Sequence, residues 1–94
     1  MTTYAVQYSY GPADLQAEHR PAHRAYLAQL HEEGKLHAAG AYQDGEPAGA
    51  LLIFEADSEE QLKELIAADP MSTGKVLTGY SYRLWSAVIG SVGK

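Results

Sequence analysis

There is no cysteine in this chain, which excludes disulfides, thiolate nucleophiles and thiolate metal sites together. Basic residues are scarce as well. Seven Lys and Arg stand against twelve Asp and Glu, a net charge of −5, and they form no cluster that would neutralise a run of phosphates. Nucleic acid is therefore not an expected partner. No apolar run approaches the roughly 20 residues that span a bilayer, so no membrane partner is expected either. Met1-Thr2-Thr3-Tyr4 lacks the basic and apolar regions of an export signal, and the expected location is the cytoplasm. The 94 residues make one domain, 1–94, small enough that burying its apolar surface is easier with a second copy.

What is present is a set of short periodic segments. Tyr4, Val6, Tyr8 and Tyr10 alternate with Ala5, Gln7 and Ser9, a strand pattern ended by Gly11-Pro12. Ala13 to His19 reads as a loose helical turn. Pro21 then opens the main helix, because proline at a first helical position loses no hydrogen bond. His23, Leu27 and Leu30 form one apolar stripe on it, and Gly34 ends it near Glu33. Leu36 to Tyr42 reads as a second strand, with Ala38, Ala39, Gly40 and Ala41 small enough to admit a ligand. Gln43-Asp44-Gly45-Glu46-Pro47 is a turn cluster, so a hairpin leads into a third strand, Gly49 to Ala56. Leu51 to Phe54 make that strand apolar on both faces, so both need cover. Ser58 and Gln61 form a capping-box signature for a second helix with Leu62, Leu65 and Ile66 as its stripe. Asp69 precedes Pro70, which places it just past that helix. Met71 to Lys75 reads as a loop, Val76 to Trp85 as a last strand, and Ser86 to Lys94 as a tail that frays or docks.

The order β-α-β-β-α-β predicts an α+β, ferredoxin-like domain: an antiparallel sheet with two helices on one face. In that topology the start of the first helix and the end of the second share one end of the molecule. His23 and Asp69 then meet, an imidazole facing a carboxylate. Imidazole titrates near neutral pH and suits a general base. A carboxylate beside it fixes its tautomer and stabilises the imidazolium. The competing reading is structural: His23 satisfies a hydrogen bond at the core edge, and Asp69 caps local backbone.

The residues Arg20-Pro21-Ala22-His23, Leu27, Leu30, Gly34-Lys35-Leu36, Ala39-Gly40, Glu55-Ala56 and Ala67-Ala68-Asp69-Pro70 follow in an order and spacing that resembles the YciI-like family over most of the chain. The resemblance implies a ferredoxin-like fold that dimerises into an α/β barrel. It also implies an active site formed by the His and the Asp before Pro, here His23 and Asp69. Its best defined relatives eliminate halide from small chlorinated muconolactones without a cofactor. The chain departs from the family pattern at Ala41, where relatives carry Pro, at Met71, where they carry an aromatic residue, and in a short loop after Tyr42.

The expected function is thus a small cofactor-independent lyase or isomerase acting on a small organic acid or lactone. His23 serves as general base or acid, Asp69 orients it, and Arg20, Gly40, Tyr8 and Met71 contact the substrate. The alternative is a non-catalytic small-molecule binding or interaction module on the same homodimeric barrel. A cofactor-free oxygenase is a third reading, resting on fold analogy alone. His19, His31 and His37 have no carboxylate at matching helical spacing, so no metal site is expected. Tyr4, Tyr8, Tyr10, Tyr80 and Tyr82 fall on strands expected to be neighbours, which makes cross-strand packing or a dimer interface their default role.

Overall fold

A computed structural model describes residues 2–45 and 48–90. Strand β1 runs Thr2–Tyr10, helix α1 Ala13–Glu32, β2 Leu36–Ala41 and β3 Gly49–Ala56. Helix α2 spans Glu59–Ala67, a short α3 Pro70–Thr73, and β4 Leu77–Leu84. The sheet order is β2-β3-β1-β4, and every pair is antiparallel. This is the predicted α+β, ferredoxin-like arrangement. Of the expected 43–47 turn, Glu46 and Pro47 lie outside the described residues, as do Val92 and the rest of the tail beyond Gly90.

The core follows strand parity. Tyr4, Val6 and Tyr8 of β1 and Ala50, Leu52, Phe54 and Ala56 of β3 are buried together with Leu36 of β2. Leu27 and Leu30 of α1 and Leu62 and Ile66 of α2 close over them. On the opposite face, Leu51 is 38% exposed while Ile53 is buried at 6%. A register shift between Leu36 and Ala38 of β2 leaves His37 as an extra residue. The bulge turns Ala39 and Ala41 to the face that carries Leu36.

Two expectations need correction. Pro21 does not open the main helix, because α1 is continuous from Ala13 and Pro21 lies inside it. Pro12 is the N-cap, its carbonyl accepting from Gln16 N–H at 3.1 Å, while the Gln16 side chain donates to the Gly11 carbonyl at 2.7 Å. An interior proline deletes one helical hydrogen bond and crowds the preceding turn, at a cost of about 3 kcal/mol. Burial of His23, Leu27 and Leu30 against the sheet outweighs that local preference. At the other end Gly34, with φ +79°, donates to His31 O, and Lys35 donates to Leu30 O, a Schellman ending.

The second correction concerns Met71 to Lys75. Residues 70–73 form a helical turn, not a loop, with Asp69 as its N-cap: the Asp69 side chain accepts from Met71 N–H at 2.9 Å. Pro70 at the first position loses nothing there. Ser58 caps α2 as expected, accepting from Gln61 N–H at 3.1 Å. The returning Gln61 side chain accepts from Asp57 N–H at 2.6 Å, one residue before the cap.

Candidate active site

The middle of α1, the start of α3 and the end of β1 converge on one carboxylate. Asp69 is fully buried. Its Oδ1 lies 2.7 Å from His23 Nδ1 and also accepts from Met71 N–H. Its Oδ2 accepts from the Tyr8 hydroxyl at 3.0 Å. A carboxylate only accepts, so His23 Nδ1 is the donor in this contact. The other ring nitrogen, Nε2, has no side-chain or backbone partner among the described residues. Three donors on one carboxylate compensate the loss of its hydration. Asp69 thus caps α3, as the structural reading expects, and the same carboxylate holds the His23 ring by its Nδ1.

His23 is 7% exposed, and the surface it shows borders a cavity of about 370 Å³ between α1 and the β2–β3 hairpin. Gln16, Arg20, Arg24 and Leu27 form the helical wall. Ala39, Gly40, Ala41, Ala48, Gly49 and Ala50 form a wall of small residues opposite. Tyr10 and Tyr42 stand at the same cavity. Burial, then the Asp69 charge, pushes the Tyr10 hydroxyl up to about 12, against the opposing effect of Arg20. Tyr10 thus offers a protonated hydroxyl near neutral pH.

Of the residues expected to contact substrate, Arg20 and Gly40 line this cavity and Tyr8 and Met71 do not. Tyr8 stands behind Asp69, 2% exposed. Burial first, and then the adjacent Asp69 charge and hydrogen bond, push its hydroxyl far above the ordinary phenol range. Met71 is also 2% exposed, because the turn of α3 points its side chain into the core. Its contribution is the N–H that holds Asp69. Arg24, Gln16 and Tyr10 also line the cavity, beyond the residues expected from sequence. Arg24 was legible as one turn beyond Arg20 on the same helix face, and Tyr10 as sharing the parity of Tyr8. Gln16 joins the site because α1 runs unbroken from Ala13 through Pro21, which local sequence preference does not reveal. Among the described residues no three His, Cys, Asp or Glu side chains gather as a metal site, and no helix is long and apolar enough to cross a membrane.

The model of the YCII-related domain matches residues 1–86. The chain belongs to the YCII-related family. Among solved structures, this YCII-related chain is similar to the 5-chloro-2-hydroxyhydroquinone dehydrochlorinase TftG from Burkholderia phenoliruptrix AC1100, in complex with 2,5-dihydroxybenzoquinone. The TM-score is 0.76 at 20% identity, covering 89% of this chain and 93% of that one. An antibiotic biosynthesis monooxygenase aligns with TM-score 0.57 and 17% identity over 95% of this chain and 100% of the other. SnoaB, a cofactor-independent oxygenase from Streptomyces nogalater, aligns with TM-score 0.53 and 10% identity over 95% and 94%. At these identities the likeness establishes the shared fold. No curated protein sequence matches the chain significantly.

Proposed function

We propose that this protein is a cofactor-independent lyase or isomerase acting on a small, single-ring organic acid or lactone, with His23 as the proton-transfer group. The observation that supports this is the 2.7 Å contact between His23 Nδ1 and the buried Asp69, which leaves Nε2 of this cavity-lining residue available for proton transfer. In the reading, Nε2 takes a proton from a substrate carbon. The C–H electron pair becomes a new π bond, and either a β-leaving group departs with its electrons or the double bond shifts and the proton returns from Nε2. Asp69 offsets the imidazolium charge formed meanwhile. Arg20 receives an acidic group of the substrate, and the small wall around Gly40 admits a flat ring.

The reading includes a C2 homodimer, in which the sheet face opposite the helices meets a second copy. The exposed Leu51 on that face supports it. Light scattering should give twice the 10.2 kDa chain mass, and Leu51→Lys should return it to the monomer value.

TftG, named as a dehydrochlorinase and holding a dihydroxybenzoquinone, indicates which compounds to try first: chlorinated hydroquinones and chlorinated lactones, followed by halide release. His23→Gln, which keeps a donor for Asp69, should fold and lose turnover by roughly 10²- to 10⁴-fold. Unchanged turnover in that variant would remove His23 from the chemistry. Recovery of bound ligands unaltered, with His23→Gln changing affinity alone, would replace the enzyme by a binding module.

A further inference from the structure

The cavity beside His23 has an unusual charge for this chain. The protein carries −5 overall, with twelve acids and seven Lys and Arg. Yet two of its three arginines, Arg20 and Arg24, line this one cavity, and no Asp or Glu is among the described residues that do. Neither guanidinium has a carboxylate within 4.0 Å among the described residues. Asp69, the acid behind His23, is already occupied by Tyr8, His23 and Met71. The arginines sit at i and i+4 on α1, where side chains are neighbours about 6 Å apart and like charges are mildly destabilising. An anion between or across them removes that penalty.

The two positions are not equivalent. Arg20 shares the cavity with Gln16 and Tyr10, and its charge is felt by the Tyr10 hydroxyl. Arg24 lies further along α1, and also borders the adjoining groove formed with Ala28, His31 and Leu36. One turn of helix therefore separates two exposed cationic forks that line the same cavity as His23. Each guanidinium matches a carboxylate bidentately. A single carboxylate satisfies one fork, whereas a short dicarboxylate satisfies both.

We propose that Arg20 and Arg24 form a two-point anion site, and that the substrate of the His23 reaction carries two carboxylate groups on a small flat skeleton. This rests on the acid/base reading above for the word substrate, but the site itself is testable without turnover. Calorimetric titration at fixed ionic strength with phthalate, benzoate and benzamide supplies two, one and no carboxylates on the same ring. Phthalate should bind saturably, about tenfold or more tighter than benzoate, with benzamide weakest. Arg20→Gln and Arg24→Gln should each bring phthalate down to the benzoate level. Arg83→Gln, on β4, should change nothing. Phthalate binding no tighter than benzoate, or equal in Arg24→Gln and wild type, would overturn the proposal. The two failures are read separately, since phthalate binding is measured without turnover and the acid/base reading is tested by turnover in His23→Gln. If dianion binding is absent while His23-dependent turnover of some compound is found, the acid/base reading stands and the two-point site falls.

Discussion

Replacing Tyr8 by Phe removes one hydroxyl and almost no volume, so its effect reads out one hydrogen bond. The Tyr8 hydroxyl donates to Asp69 Oδ2 at 3.0 Å, with Tyr8 2% and Asp69 0% exposed. A hydrogen bond to a charged group contributes about 1.5–3 kcal/mol. Asp69 keeps its donors from His23 and Met71, so the expected loss near neutral pH is about 2 kcal/mol, or roughly 8–16 °C in Tm for a domain of this size. The pH dependence carries a second signature. Burial and the neighbouring Asp69 raise the Tyr8 hydroxyl above its unfolded value. The unfolded chain then releases this proton first, and the stabilisation is complete below about pH 10 and declines above it, by about 1.4 kcal/mol per pH unit. Tyr10 and Tyr26, both pushed up to about 12 mainly by burial, add the same sense of slope and remain in the variant. Urea unfolding followed by circular dichroism between neutral and alkaline pH should show Tyr8→Phe less stable at neutrality and shallower in its alkaline decline by one titrating group. A neutral-pH loss below about 0.5 kcal/mol, the range of an ordinary surface change, would refute the argument. So would alkaline limbs of equal slope.

Asp69→Asn should fold, because Met71 N–H selects the amide oxygen for the Oδ1 position and leaves the amide nitrogen to donate to the Tyr8 hydroxyl. The His23 Nδ1 contact should persist in nitrogen-detected NMR; on the proposed acid/base reading turnover should fall by roughly 10²-fold or more, because that reading places a charge opposite an imidazolium. Gly49→Ala should be strongly destabilising, by about 2 kcal/mol or more in chemical denaturation. A Cβ there would collide with the backbone carbonyl of Tyr8, which cannot yield without moving β1. Glu55 is held below the usual carboxyl range, chiefly by the hydrogen bond from His37 at 2.7 Å, against the effect of burial and with help from Thr3. Its stabilisation is present above the unfolded carboxyl range and lost as pH falls through the folded value. Acid titration of stability should therefore be flatter in Glu55→Gln than in wild type.

Much of the fold was legible because it rests on local rules. The alternation of Tyr4, Val6 and Tyr8, the stripe of His23, Leu27 and Leu30, and the Ser58–Gln61 cap all appear where period and capping chemistry place them. Gly49–Ala56 is bounded as read from its residues alone. Pro21 departs from its local preference for a tertiary reason. Its local preference marks a helix start, but the apolar stripe beyond it is anchored on the sheet, and α1 extends back through the proline to Gly11-Pro12. The turn at Pro70–Thr73 was missed because four residues carry too little periodicity to distinguish a helical turn from a loop.

For the candidate site, the sequence by itself pointed to His23 and Asp69 as a pair, but they meet at the middle of α1 and not at its start, because the helix begins at Ala13. It also determined that the wall around Gly40 is small. Only the tertiary structure decided that Tyr8 serves Asp69 rather than the cavity, that Met71 contributes an N–H rather than a side chain, and that Arg24 joins Arg20. Those assignments depend on which way a side chain points across gaps of a few ångströms. Hydrogen bonds are made or lost over less than one ångström, a precision that residue periodicity does not carry.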